Sequence, residues 1–155
     1  MINLNNFEYL VGDKHISKKT TQPYSEIVCN FLGDLSDELN LPTSSKNYAD
    51  IKTFAFWCRK KNIYNLKKNF LSNETRLGLG LIFHITPSNI PTNFAYSLIF
   101  GLITGNSNIV KVPSQNFAQV EIICKSINKL LEKKHKSIRK MISIIRYTDN
   151  DNYTK

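Results

Sequence analysis

Between Gly78 and Ser114 the chain reads GLGLIFHITPSNIPTNFAYSLIFGLITGNSNIVKVPS, and its chemically capable residues fall in two groups. His84, Thr86, Ser88 and Asn89 come at or after the end of one apolar run, and Lys111 and Ser114 close the next. If each run is a strand of an open parallel sheet, both groups stand at strand carboxyl ends, where such sheets bind ligands. A side-chain amide such as that of Asn89 is a neutral donor able to stabilise a developing oxyanion. The Lys111 ammonium can bond ribose hydroxyls or meet a phosphate. A serine at a helix start, such as Ser114, can do the same beside the helix N-terminal amides. Each residue also has a plain structural reading: Asn89 as a turn residue, Ser114 as a helix cap, Lys111 as an edge charge. The layout is that of a nucleotide site without its usual glycine fingerprint.

The elements that must position these groups follow from apolar periodicity. Residues 1–20 are polar and weakly patterned, fitting a short strand or arm with a loop. After Pro23, residues Ile27, Val28, Phe31, Leu32, Leu35 and Leu39 share one helical face, and Leu41-Pro42 ends that helix. Tyr48, Ile51, Phe54, Ala55 and Cys58 mark a second helix that Ser45 or Asn47 could cap, and a third runs from about Ile63 to Phe70. Trp57 and its aromatic neighbours read as packing rather than binding groups.

From Arg76 the texture changes. Leu77 to Ile85 is a nearly continuous apolar run, the pattern of a strand buried on both faces. Asn93 to Thr104 predicts a buried helix, Gly105-Asn106 its stop, and Ile109 to Val112 a second strand ended by Pro113. Ser114 is then placed to cap a helix with Val120, Ile123, Ile127, Leu130 and Leu131 inside and Lys125, Lys129, Lys133 and Lys134 outside. Met141 to Tyr147 is a third strand. The order strand, helix, strand, helix, strand implies parallel pairing with right-handed crossovers, half of a doubly wound sheet. The expected division is a mainly helical segment at 1–75, a partial cofactor-binding βαβαβ unit at 76–147 and a polar tail at 148–155.

Composition bounds the remaining possibilities. A chain of 155 residues with 41% hydrophobic residues can bury one core. Its formal net charge of +9 favours acidic partners, but the basic residues are dispersed in short groups, as on a solvated surface. RNA-binding aromatic-glycine motifs, a helix-turn-helix signature and zinc spacing are absent. Cys29, Cys58 and Cys124 are far apart with no metal-ligand spacing, consistent with reduced, buried thiols. MINLNNFEYL lacks a basic n-region and a long apolar run, and the stretch Phe94 to Ile103 is far short of the ~20 residues of a membrane span. A cytoplasmic protein without a bound metal is expected.

Two motifs at this separation carry a resemblance. ITPSNIP resembles the proline-x-asparagine-x-proline turn of the aldehyde dehydrogenase superfamily, and GNSNIVKVPS is similar to that superfamily's second nucleotide-contacting strand. The closer resemblance is to acyl-CoA reductases of the LuxC type, which make fatty aldehyde in bacterial luminescence. It covers about Leu77 to Leu131, and RYTDNDNYTK resembles the next segment of those reductases; residues 1–75 fit the helical lead-in only loosely.

The resemblance implies a helical lead-in followed by the βαβαβ half of a Rossmann-like, aldehyde dehydrogenase-like sheet. Ile85, Thr86, Pro87 and Ser88 would line the nicotinamide side of the cofactor site. Asn89 would direct its amide at the thioester carbonyl oxygen, and Lys111, Pro113 and Ser114 would hold the adenosine end. NAD-preferring relatives often carry a glutamate at the Ser114 position. A serine there does not repel a 2′-phosphate, so NADPH is the expected cofactor. The substrate would be a fatty acyl-CoA or acyl-protein thioester, with an acyl-protein synthetase as a partner and an oligomer as the full-length state. In such reductases a cysteine thiolate forms an acyl-enzyme. Neither that cysteine nor the glycine-rich pyrophosphate segment is recognisable here, so the chain is expected to be an N-terminal part, inactive alone. Two readings remain beside this one: a non-catalytic basic α/β module binding nucleic acid or a partner protein, and a subunit completing its sheet with another chain.

Overall fold

The computed structural model describes residues 7–42, 47–70 and 75–147. The expected polar tail at 148–155 and the candidate cap Ser45 lie outside them. Along the chain stand strand β1 (Glu8–Val11), helices α1 (Glu26–Leu39), α2 (Ala49–Trp57) and α3 (Lys60–Phe70), strand β2 (Leu81–Ile85), helix α4 (Asn93–Ile103), strand β3 (Ser107–Lys111), helix α5 (Ala118–Lys133), a 3₁₀ turn (Lys136–Met141) and strand β4 (Ile142–Arg146). The strands form one mixed sheet in the order β1-β4-β3-β2. β2, β3 and β4 are parallel, as the strand-helix alternation requires, while β1 pairs antiparallel with β4 at the far edge. Tyr48 precedes α2 without a side-chain cap bond, so Asn47 does not cap it.

The register assigns the faces. Ile82 and His84 of β2 align with Asn108 and Val110 of β3, which align with Ile142 and Ile144 of β4; this face packs on the helices. Alternate residues, Leu81, Phe83 and Ile85 with Ile109 and Lys111 and then Ser143 and Ile145, form the opposite face. The core lies between the sheet and α4, α5 and α1. Phe31, Leu32, Leu35 and Leu39 of α1, Phe94, Leu98 and Leu102 of α4, and Val120, Ile123 and Ile127 of α5 are all buried there. The Lys129–Glu38 ion pair at 2.6 Å and the hydrogen bond between His135 Nε2 and Asp34 Oδ2 at 2.9 Å bind α5 and the turn after it to α1. Trp57 packs on Tyr96 and Phe100, a structural role as expected.

Two expectations fail in an informative way. The run from Leu77 to Ile85 is not one strand buried on both faces. Only Leu81–Ile85 is extended in the sheet, at its edge, and Leu81, Phe83 and Ile85 are exposed while Ile82 and His84 are half-buried. Leu79 is 93% exposed, in a stretch where the N–H groups of 78–80 all bond outside the sheet ladder, although the Gly80 carbonyl still accepts from Ser107 N–H. Gly78 N–H donates to the Thr21 carbonyl, and the Asn106 Oδ1 accepts from Leu79 and Gly80 N–H at 2.6 and 3.1 Å. Gly105 completes the crossing with φ +88° and accepts from Thr21 N–H; a Cβ there would overlap the Thr21 carbonyl oxygen. The Gly105-Asn106 pair is therefore a knot at the amino ends of β2 and β3, opposite the candidate site.

The second failure concerns Ser114. Helix α5 begins only at Ala118, with Phe117 before it, so Ser114 does not cap it. The Ser114 hydroxyl instead donates to the Tyr147 carbonyl at 3.0 Å.

Candidate functional site

At the carboxyl edge of the parallel strands, Ile85 and Lys111 are the last paired residues of β2 and β3. The Thr86 hydroxyl donates to the Lys111 carbonyl at 2.9 Å, tying the two strand exits together. Val112 N–H donates to the Ile145 carbonyl at 3.0 Å and extends the pairing with β4 past Lys111. Alternation places Lys111 on the face away from the helices. The residue is only 8% exposed and its Nζ stands 4.7 Å from the centre of the Tyr147 ring. Tyr147, the residue after β4, is buried and also meets the Phe7 ring at 5.2 Å.

The structure thus brings together Thr86, Lys111 and Ser114 from the expected set, with Pro113 buried between the last two. Ile85 is exposed beside them on the open face. Pro87, Ser88 and Asn89 stand exposed in the turn between β2 and α4, outside this bonded cluster. His84 belongs to the other face: its Nε2 meets Asn108 Oδ1 at 2.9 Å. The Asn108 amide nitrogen donates to the Asn106 carbonyl, so its oxygen is the atom turned to His84, and Nε2 carries the proton. That pair is structural.

Tyr147 is the residue that sequence reasoning passed over. A signal was present: in MISIIRY, strand alternation puts Tyr147 on the face of Ser143 and Ile145, at the carboxyl end where Lys111 emerges. The same residue closes an apolar groove of about 490 Å³ along the open face, floored by Leu81, Phe83, Ile109 and Ile145 and flanked by Lys14 and Lys18.

No thiol serves this edge. Cys29, Cys58 and Cys124 are buried and form no disulfide. Burial raises all three thiols above the ordinary range, Cys58 and Cys124 far above it. Among the described residues, no group of three His, Cys, Asp or Glu side chains could hold a metal ion, and no helix is long and apolar enough to cross a membrane.

Helices on one side of a parallel β2-β3-β4 core, with polar side chains gathered where those strands end, are compatible with a Rossmann-like α/β fold. The chain belongs to the acyl-CoA reductase (LuxC) family, whose profile matches residues 34–154. That match begins inside α1 and takes in the two motifs on which the resemblance rested, and it covers most of the helical lead-in as well. No curated protein and no solved structure matches the chain.

Proposed function

We propose that this chain supplies the adenosine-end and oxyanion residues of an NADPH-dependent reductase that converts long-chain fatty acyl thioesters to aldehydes. The observation that carries the reading is the cluster at the carboxyl ends of β2, β3 and β4, in a chain of the acyl-CoA reductase family. The groups fit a phosphorylated nucleotide: the Lys111 ammonium can meet a phosphate, the Ser114 oxygen beyond the same strand can accept from a ribose hydroxyl, and Ser114 stands where NAD-preferring relatives often carry a glutamate. Lys111 and Ser114 hold the adenosine ribose and its 2′-phosphate. Ile85, Thr86, Pro87 and Ser88 flank the nicotinamide side, and Pro113 fixes the turn between Lys111 and Ser114. When bound, the cofactor supplies the hydride that reduces the acyl group.

Asn89, exposed in the turn, presents its amide to the thioester carbonyl oxygen and stabilises the negative charge formed when that carbon is attacked. The attacking thiolate is not one of the three cysteines here, each buried with its thiol form favoured. It comes from a cysteine outside these 155 residues, and the chain alone does not turn over.

The test compares NADPH and NADH as reductants of a long-chain acyl-CoA, in a polypeptide that joins this chain to its catalytic cysteine. The Ser114→Glu variant should shift kcat/KM toward NADH, because a carboxylate repels the 2′-phosphate. An unchanged preference would refute the placement of the adenosine end. Turnover by the 155-residue chain alone would refute the external nucleophile.

A further inference from the structure

Four groups from three strand exits meet at the candidate cofactor edge, and two of their links converge on one residue. The Lys111 Nζ stands 4.7 Å from the centre of the Tyr147 ring, and the Ser114 hydroxyl donates to the Tyr147 carbonyl at 3.0 Å. Tyr147 is itself fixed: 4% exposed, it packs on Phe7 at 5.2 Å and follows the last residue of β4. The Lys111 backbone is held independently, by Thr86 through its carbonyl and by the ladder to Ile145. What the backbone does not fix is the direction of the long, flexible lysine side chain, which loses rotamer freedom when it is held. An aromatic face directs an ammonium by the attraction of its negative quadrupole.

We propose that Tyr147 is a positioning residue for nucleotide binding: its ring aims the Lys111 ammonium at a ribose 2′-phosphate, and its carbonyl takes the Ser114 proton, leaving the Ser114 oxygen to accept from a hydroxyl of the same ribose. This rests on the cofactor reading of the same edge. The ligand class is a 2′-phosphorylated adenosine dinucleotide, and Tyr147 acts on it through Lys111 and Ser114. The ring directs Lys111, so phenylalanine replaces tyrosine with little loss and leucine does not. The Ser114 bond is to the backbone and survives both substitutions.

The test uses the 155-residue chain in two measurements. First, NMR of the unliganded protein reads the Lys111 ε-methylene protons. They should resonate upfield of those of other lysines through the ring current, remain so in Tyr147→Phe, and return to the ordinary position in Tyr147→Leu. Second, calorimetric titration with NADPH compares the wild type, both variants, Lys111→Met and the Lys111→Met/Tyr147→Leu double variant. Tyr147→Leu should weaken binding about 3- to 30-fold, the range of a cation–π contact. Tyr147→Phe should stay within about 2-fold, rescuing the site. In the Lys111→Met background the leucine substitution should have no further effect, since the two residues act as one unit.

Binding that is indifferent to Tyr147→Leu, a leucine effect undiminished without Lys111, or unshifted Lys111 protons would overturn the positioning role while leaving the cofactor reading standing. A wild-type chain with shifted Lys111 protons that binds neither NADPH nor NADH would overturn the cofactor reading and, with it, the proposed ligand. Unfolding of the leucine variant would leave the wild-type proton shift and the phenylalanine and methionine variants to decide the role.

Discussion

Replacing Asn106 with alanine tests the knot at the amino ends of β2 and β3. The Asn106 Oδ1 accepts from Leu79 N–H at 2.6 Å and from Gly80 N–H at 3.1 Å, and its amide nitrogen donates to the Thr104 hydroxyl at 2.9 Å. The residue is 3% exposed. Alanine removes all three bonds and leaves two backbone donors without their acceptor. A buried donor left unmade costs about 1–3 kcal/mol. Gly80 is buried and takes the upper part of that range, whereas Leu79 is open to water and takes the lower. The sum is about 2–4 kcal/mol, a large fraction of the stability of a domain this size. With a urea dependence of about 2 kcal/mol per molar, the unfolding midpoint should fall by about 1–2 M. Asn106→Asp, which keeps an oxygen acceptor for both N–H groups, should lose less than alanine does. A midpoint shift below about 0.3 M for alanine would refute the claim that these bonds divert 78–80 out of the sheet.

Other sites give further outcomes. Gly101→Ala should cost about 1–3 kcal/mol in urea unfolding, because a Cβ there would overlap the Asn108 Oδ1 that meets His84. For Asp34, burial alone would push the carboxyl up. The His135 hydrogen bond and the Lys134 charge outweigh it and hold the group below the usual carboxylate range. A depressed folded-state carboxylate contributes stability that is present above the unfolded value of about 4 and lost as pH falls through the lower folded value. Asp34→Asn should therefore be less stable than wild type at neutral pH, and the gap between their urea midpoints should close below about pH 4. A gap independent of pH would exclude that linkage. The three cysteines should resist a disulfide reagent in the native protein and all react once it is unfolded, since burial favours their thiol forms. Any thiol modified rapidly in the native state would contradict this.

The helices were legible in the sequence because each carries a stripe that only one side of a helix can bury. Val28, Phe31, Leu32, Leu35 and Leu39 in α1, and Val120, Ile123, Ile127, Leu130 and Leu131 in α5, are buried as expected, whereas Ile27, placed on the same face of α1, is exposed in its first turn. The parallel order of β2, β3 and β4 followed from the same alternation of elements. Less legible was anything decided by contacts distant in sequence. An apolar run such as LGLGLIFHI looks the same whether it lies inside a sheet or at its edge. The Asn106 side chain, more than two dozen residues on, shortens it to five strand residues. The antiparallel pairing of β1 with β4 had no local signal beyond a short strand. In the site, residue types at strand ends indicated Thr86, Lys111 and Ser114. The cap reading of Ser114 failed because its hydroxyl finds a partner 33 residues away. The contact of Tyr147 with Lys111 was hidden for the same reason: a tyrosine ending an apolar strand reads as packing until a lysine from another strand is placed over its ring.

The central claim is that the carboxyl ends of β2, β3 and β4 form one end of an NADPH site. Titrating the isotopically labelled chain with NADPH, and following its backbone amide resonances, tests this most directly. The account predicts that the largest shifts fall at Thr86–Asn89, at Lys111–Ser114 and at Tyr147, and that they weaken when NADH replaces NADPH. Shifts confined to the apolar groove around Phe83 and Ile109, or to the amino-end knot at Asn106, would contradict it.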